Sequence, residues 1–518
     1  MSIILSLLPI ALLIVLMIGF KMRGDRSALC ALLAAVVIAI FAVPSMDGFG
    51  ALPEGFGAVY VWWAFVEGAL KAIFPILIII MMAIYSYNVL LESKQIEVIK
   101  QQFTSISSDK RIQVLLIVWG FGGLLEGMAG FGTAVAIPAA ILIGLGFKPG
   151  FSALVSLIAN SVATGFGAVG VPVITLAKEA MGSDVPADVI RIVAGDVVLQ
   201  LSVLMFMIPF VILFLTDTSR KYIIPNILLT LAVGAISLAT QFAAAYWIGA
   251  ETPAIIGSIA CIIFLVIYAK VKEGKKADAP KYTTQELAKA WAVYGFILLF
   301  IVLASPLSGP ISESLKTTLV SKIHLPIYAE GKTFNFGWLS NAGLMLFLGA
   351  FIGGLIQGVR AGRLFAILGQ TVVKLQASAV TIISLVAMSS VMSHSGMILC
   401  IANALAEATS ALYPLFAPLV GAIGTFATGS DTSSNILFGK LQADVAGQIG
   451  MDKAWLAAAN TAGATGGKII SPQSIAIATA SCNQQGQEGA ILRSALPYAL
   501  VYVLIAGLTV YCFSHLAL

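Results

Sequence analysis

Residues 159–172 read ANSVATGFGAVGVP and residues 459–472 read ANTAGATGGKIISP, so an Asn beside a hydroxyl residue, a Gly and a Pro recur at an offset of 300. A Gly-rich run precedes each stretch, at 130–133 and at 429–432. In lipid an unpaired backbone group costs several kcal/mol, so such helix-breaking runs are tolerated only within protein or beside a water-filled cavity. The sequence therefore predicts two corresponding units, each a hairpin followed by a broken helix.

The composition places the chain in a bilayer. Of its 518 residues 59% are hydrophobic and only 10% are charged, whereas a soluble domain has about 25% charged residues. The net charge of +5 comes from basic residues spread thinly over loops, which excludes a nucleic-acid-binding protein. The five cysteines and three histidines show no ligand spacing, so we expect no metal and no cofactor.

The apolar runs predict about eleven membrane crossings. A crossing needs about 20 apolar helical residues, and uninterrupted runs of that kind are 2–20, 27–45, 72–91, 189–215, 223–243, 252–270, 288–305, 338–357 and 497–516. Because basic loops favour the cytoplasm, the loops at 21–26, 94–111, 220–221, 270–281 and 360–374 place the N-terminus outside. Residues 112–146 then form a re-entrant hairpin from the cytoplasmic side, and 411–448 form a second one from the opposite side.

The predicted fold class is therefore an all-α polytopic membrane protein with an inverted internal repeat. Scaffold helices occupy 1–111, and the first repeat core occupies 112–215 with its broken helix at 151–178. Linking and scaffold helices follow at 216–376, with a cytoplasmic loop at 270–284 and a periplasmic loop at 306–337. The second repeat core and the last helix occupy 377–518, with the broken helix at 453–478. Inverted repeats whose broken helices meet at the midplane are typical of secondary transporters.

A broken helix exposes unpaired N–H groups that attract anions. The polar run 429–435 and the two Asn-containing breaks add directional donors in small, apolar surroundings, which suits a short hydroxy- or keto-monocarboxylate. The candidate substrate residues are Gly130, Gly132, Thr133, Asn160, Ser161, Ser430, Thr432, Ser433, Asn435, Asn460, Thr461, Lys468, Ser471 and Gln473. The alternative is that these hydroxyl and amide groups only bond to preceding carbonyls and hold helices together.

Ionisable residues in apolar segments are expensive and indicate function. Glu126 and Asp431 lie at the predicted hairpin tips, and each could carry a proton across the membrane. Lys468 could neutralise the substrate or pair with an acid. Lys440 and Asp444 are spaced as a helical ion pair, and His394 is either a proton relay or a satisfied buried imidazole.

Six runs of the sequence stand out, namely LLEGMAGFGT at 124–133, GLGFKP at 144–149, IAN at 158–160, GSDTSSNILFG at 429–439, ANT at 459–461 and KIISPQS at 468–474. Together they resemble the bacterial L-lactate permease family. The resemblance extends over most of the chain. It implies import of L-lactate, and also of D-lactate and glycolate, by proton symport across the bacterial inner membrane. Grouping with the ion-transporter superfamily implies elevator-like scaffold and transport domains and a homodimer.

Two other functions stay open at this stage. One is a sodium-coupled small-carboxylate carrier, in which Asp431 and nearby carbonyls hold Na⁺. The other is a channel or a receptor that transports nothing. An enzyme is not expected, because the sequence contains no GxSxG, HExxH, Walker or dinucleotide-binding motif.

Overall fold

The computed structural model describes residues 1–518 except 21, 50, 51, 54, 105, 129, 131, 183, 274–281, 305–307, 329–332, 483, 485, 486 and 516–518. The predicted loops 270–284 and 306–337 therefore lie partly outside the described residues, as does Phe131 of the first Gly-rich run.

The first half of the chain is a succession of helices, several of them extended by a π-helical stretch. Its helices are α1 (Ser2–Ile14), α2 (Gly24–Val37), α3 (Ala58–Lys71), α4 (Ile78–Glu92), α5 (Gln95–Thr104), α6 (Lys110–Val114), α7 (Gly122–Met128), α8 (Thr133–Gly144), α9 (Pro149–Thr164), α10 (Gly167–Met181), α11 (Ala187–Gln200), α12 (Ser202–Thr216), α13 (Ile223–Trp247) and α14 (Pro253–Glu273). The π-helical residues Leu115–Phe121 join α6 to α7, and Ala72–Leu77 join α3 to α4.

The second half adds a small sheet to further helices. Its helices are α15 (Thr284–Ala304), α16 (Pro310–Thr317), α17 (Ala342–Ile356), α18 (Ala361–Lys374), α19 (Gln376–His394), α20 (Met397–Thr409), α21 (Tyr413–Thr428), α22 (Asp431–Ile449), α23 (Lys453–Ile470), α24 (Pro472–Ser481) and α25 (Glu488–Ser514). Strands β1 (Val320–Ile323) and β2 (Phe334–Gly337) pair antiparallel, with Val320 opposite Gly337.

The helix lengths fit a multi-pass membrane protein. Among the described residues nine helices are long and apolar enough to cross a bilayer, or up to eleven if each bent pair is one span. The bent pairs are α9 with α10, at 48°, and α11 with α12, at 44°. The chain is thus an all-α polytopic protein with interrupted helices.

Two predicted spans differ from the structure. The run 189–215 is not one straight helix, because it bends at Leu201, where φ is −84° and ψ is −4°. A hydropathy profile averages over many residues, so it cannot reveal a bend at a single buried leucine. The run predicted at 338–357 begins only at Ala342, because the residues before it form β2 and the turn that follows. The predicted loop 306–337 accordingly carries α16 and the β-hairpin.

The two breaks and the two hairpins pack into one core. Helix α10 packs against α22, and α24 packs against α8 and α9, so the two halves of the sequence pack against each other. Close approach of α21 to α23 depends on glycine, since a Cβ on Gly463 would lie 1.6 Å from the Pro418 carbonyl oxygen and one on Gly421 would lie 2.0 Å from that of Asn460. Small residues permit this spacing between helices in membranes.

Candidate functional site

Four chain interruptions meet around one cavity of about 460 Å³. They are the α7–α8 tip, the α9–α10 break, the α21–α22 tip and the α23–α24 break. The polar and charged side chains in its lining are Arg23, Asp25, Glu126, Thr164, Ser378, Thr381, Thr428, Ser430, Asp431, Thr432, Ser433, Lys468 and Gln473. The cavity is therefore built by segments that lie far apart in the sequence.

The α7–α8 tip is shaped by two glycines. Gly130 and Gly132 have φ values of 62° and 85°, in the left-handed region that favours glycine. Both line the cavity. Thr133 begins α8 and donates its hydroxyl to the Gly130 carbonyl oxygen at 2.8 Å, so it closes the tip and does not line the cavity.

The break between α9 and α10 is strained. Ala168 and Val169 have φ values of 44° and 60°, which cost non-glycine residues of order 1–3 kcal/mol each. Gly170 follows at 73°, and a Cβ there would lie 2.1 Å from the Ala250 carbonyl oxygen. The Ala250 backbone holds this break in place, and the carboxyl group of Glu126 packs against its first residue, Gly167.

The α21–α22 tip presents the start of a 19-residue helix to the cavity. Gly429 has a φ of 74°, and the Ser430 side chain caps α22 by accepting from the Ser433 N–H at 3.3 Å. Lys468 Nζ donates to the Gly429 carbonyl oxygen at 2.6 Å. A lysine and a helix N-terminus, which carries a partial positive charge, thus face the same space.

Two carboxyl groups at the cavity are buried and incompletely satisfied. Glu126 is 5% exposed and Asp431 is 4% exposed. Oε2 of Glu126 and both carboxyl oxygens of Asp431 make no hydrogen bond of good geometry to a described residue, although the Asn160 amide lies beside Glu126 and the hydroxyl groups of Thr164 and Thr425 lie beside Asp431. Lys468 acts electrostatically on both groups. An unsatisfied buried polar group costs about 1–3 kcal/mol, so both carboxyl groups are suited to take up a proton or contact a solute.

Seven candidate substrate residues do not line the cavity, namely Thr133, Asn160, Ser161, Asn435, Asn460, Thr461 and Ser471. Ser161 donates to the Ile158 carbonyl oxygen at 2.7 Å, which is the kind of local bond that the alternative interpretation expected. Ser471 caps α24 by accepting from the Ser474 N–H at 3.2 Å, and its hydroxyl donates to the Ser474 hydroxyl at 2.8 Å.

Asn435, Asn460 and Thr461 form a buried network behind the cavity. Asn435 Nδ2 donates to the Pro172 carbonyl oxygen at 3.0 Å and to Thr461 Oγ1 at 2.9 Å. Asn460 Nδ2 donates to Asn435 Oδ1 at 2.9 Å. The network ties α22 and α23 to the first broken helix. Asn160 differs, because it lies beside Glu126 and its amide makes no hydrogen bond of good geometry to a described residue.

Sequence reasoning missed one wall of the cavity. Arg23 and Asp25 line it from the start of α2, where they form an ion pair at 2.9 Å. Thr381 and neighbouring residues line it from α19, and Thr428 lines it just before the polar run. Thr428 directly precedes the polar run 429–435, so its position in the sequence could have identified it as a lining residue, whereas nothing in the sequence pointed to α19.

The remaining ionisable candidates lie elsewhere. Lys440 and Asp444 form the expected ion pair at 2.5 Å. His394 ends α19 and contacts Glu67 Oε2 through Nε2 at 2.7 Å and the Tyr60 hydroxyl through Nδ1 at 3.3 Å, so it is a satisfied imidazole outside this cavity.

Two solved structures share the fold at 14% sequence identity. The YdaH transporter of Alcanivorax borkumensis superposes with a TM-score of 0.55, covering 95% of this chain and 98% of that chain. MtrF of Neisseria gonorrhoeae, described with a class of antimetabolite efflux pumps, superposes with a TM-score of 0.54 and covers 94% of each chain. The architecture is thus shared with known transporters.

Sequence comparison is more specific. The L-lactate permease of Streptococcus iniae is 39% identical over 460 residues, covering 88% of this chain and 93% of that protein. The glycolate permease GlcA of Escherichia coli K12 is 32% identical over 550 residues, covering 98% of this chain and 95% of its own. The L-lactate permease family model matches residues 2–517. The protein therefore belongs to the L-lactate permease family.

Proposed function

We propose that this protein imports L-lactate, with D-lactate and glycolate as further substrates, by proton symport across the bacterial cytoplasmic membrane. The observation that carries the proposal is the cavity in which a lysine, a helix N-terminus and two buried carboxyl groups meet. The names of the relatives, L-lactate permease and glycolate permease, support the choice of substrate.

The cavity suits a small monocarboxylate. Its volume of about 460 Å³ exceeds the size of lactate, so water accompanies the substrate. The substrate carboxylate is best placed at the start of α22, where backbone N–H groups and the side chains of Ser430, Thr432 and Ser433 are donors. Lys468 supplies the compensating charge.

A proton would balance the charge of the substrate. Moving one anion against an inside-negative potential costs about 2.3 kcal/mol per 100 mV, and one co-transported proton cancels this cost. Glu126 and Asp431 are the proposed proton carriers, because both are buried at the hairpin tips and next to Lys468. Protonation would also remove a negative charge from the substrate site.

Transport needs alternating access to the cavity. We place the two hairpins and two broken helices in a transport domain, and α1 and α2 in the scaffold that forms the opposite wall. Helix α19, which the sequence assigned to the second repeat core, packs against α2 and α3, and we place it with the scaffold. With the basic loops in the cytoplasm and the N-terminus in the periplasm, Arg23 marks the cytoplasmic mouth of the cavity. Elevator-like movement of the transport domain, in each subunit of a homodimer, would then expose the site to the other side.

Radiolabelled L-lactate uptake into proteoliposomes tests the proposal. We expect accumulation when the lumen is made alkaline and no accumulation without a pH gradient. Replacing Na⁺ with choline should leave uptake unchanged, so loss of uptake in choline would instead favour a sodium-coupled carrier. Unitary currents in a planar bilayer would indicate a channel, and absence of gradient-driven uptake of lactate and glycolate would reject the proposal.

A further inference from the structure

A second group of charged residues lies at the far ends of the helices that line the substrate cavity. Helix α10 contributes Pro172 to the substrate cavity and Lys178 to a second cavity of about 400 Å³. Six residues separate them, about 9 Å along a helix. Helix α19 contributes Leu385 to the first cavity and Ser390 to the second, about 8 Å apart by the same geometry. The two cavities therefore lie in series along a shared pair of helices.

The second cavity has an excess of lysine, and we call it the lysine vestibule. Its charged lining consists of Lys71, Lys178, Lys440 and Lys453 against Glu67 and Glu179. Lys71 pairs with Glu67 at 3.1 Å, and Lys440 pairs with Asp444 outside the lining. Within the described part of the chain, Lys178 and Lys453 make no ion pair within 4 Å, and the carboxyl groups of Asp184 and Glu251 act on Lys178 only from a greater distance. Neither ammonium group is therefore held by a direct carboxylate contact, and each can meet an anion.

A hydrogen-bonded hub around Glu67 forms part of the vestibule wall. Glu67 is buried and accepts from the Tyr328 hydroxyl at 2.9 Å and the Ser390 hydroxyl at 2.7 Å, in addition to its contacts with Lys71 and His394. The Ser389 hydroxyl donates to Glu179 Oε2 at 3.2 Å and so links α19 to α10. Lys71 balances the charge of Glu67. Three lysines, Lys178, Lys440 and Lys453, then remain against Glu179 in the lining.

We infer that the lysine vestibule is a second, low-affinity docking site for small carboxylate anions, through which the substrate reaches the first cavity. A mouth whose lining has an excess of one sign of charge raises the local concentration of the opposite ion, and salt weakens this effect. Lys178 and Lys453 attract the carboxylate, and no directional pocket is needed. With the proposed topology, the vestibule faces the periplasm and the substrate cavity faces the cytoplasm, which is the order that import requires.

Uptake kinetics with charge variants test this inference, which rests on the proposed function. At low ionic strength Lys178→Gln and Lys453→Gln should each raise the KM for L-lactate about three- to tenfold, with little change in maximal rate. The increase should fade at high salt, and Lys178→Arg should behave like the unaltered protein. The matched control is Lys374→Gln, an exposed lysine on α18 outside both cavities, which should leave KM unchanged.

The outcomes separate the two proposals. If the unaltered protein shows no lactate uptake, the proposed function fails. If it imports lactate but both variants keep the original KM and its salt dependence, the vestibule is not a docking site and only this inference is overturned. A fall in maximal rate without a change in KM would also overturn it, because that pattern indicates that the lysines act in the conformational change. Should Lys178→Gln fail to reach the membrane, the exposed Lys453 provides the same test alone.

Discussion

The carboxyl group of Glu126 packs against Gly167 so closely that a Cβ at Gly167 would lie 2.6 Å from Oε1. Glu126 belongs to the first hairpin, and Gly167 is the residue at which the strained break of the first broken helix begins. This contact fixes one of the proposed proton carriers against the broken helix at the cavity. A side chain at Gly167 would therefore displace the carboxyl group of Glu126.

Gly167→Ala should reduce L-lactate uptake by at least tenfold while the protein still reaches the membrane. The added methyl group would push the Glu126 side chain away from the break, since the contact is shorter than any normal van der Waals distance. Initial uptake rates in proteoliposomes measure the effect. Gly150→Ala is the matched control, because a Cβ at that position would meet nothing within 4 Å and uptake should be normal. Equal activity of both variants would contradict the role given to the contact.

Glu126→Gln and Asp431→Asn should separate proton coupling from substrate exchange. Each amide mimics the protonated acid, so whichever carboxyl group carries the proton should lose accumulation driven by a pH gradient. One pH unit is about 1.4 kcal/mol, and it drives about tenfold accumulation in the unaltered protein. In the coupling variant the ratio should fall to about one while lactate counterflow persists. Glu407→Gln, an exposed position on α20, is the control. Gradient-driven accumulation by both cavity variants would show that neither group is the carrier.

Lys468→Met should raise the KM for L-lactate by at least tenfold. The variant removes the charge that compensates the substrate carboxylate, and it also removes the hydrogen bond to the Gly429 carbonyl oxygen. Lys468→Arg should restore part of the affinity, because the positive charge is kept. Melting temperatures of the purified proteins distinguish substrate binding from loosening of the hairpin tip. A KM that stays constant while the melting temperature falls would assign Lys468 to the tip alone.

Replacing the two corresponding asparagines, Asn160 and Asn460, should affect different properties of the protein. Asn160→Ala should lower uptake with little loss of stability, since its buried amide makes no hydrogen bond of good geometry to a described residue. Asn460→Ala should lower stability by about 1–3 kcal/mol, because Asn435 would lose a buried partner. Thermal unfolding and uptake rates of both variants, with the exposed Asn403→Ala as control, provide the measurement. Equal stability of the two variants would argue against the network behind the cavity.

The sequence by itself determined that the chain spans a membrane and where its helices break. Both properties are local, because 59% apolar composition decides the solvent and Gly-rich or Pro-containing runs interrupt a helix wherever they occur. It also identified the polar run at 429–435 and the two tip carboxyl groups. The bend at Leu201 and the strand before Ala342 were not predictable, since one residue and one short pairing leave hydropathy almost unchanged.

Only the tertiary structure decided which polar groups face the cavity. Ser430 and Ser433 line it, whereas Asn435, two residues further along the same helix, points to the backbone of Pro172. The wall from α19 and the position of Lys178 in the second cavity depend in the same way on helices that meet across hundreds of residues. Periodicity along one helix predicts which residues share a face, but the neighbour that covers that face is set by packing between distant segments.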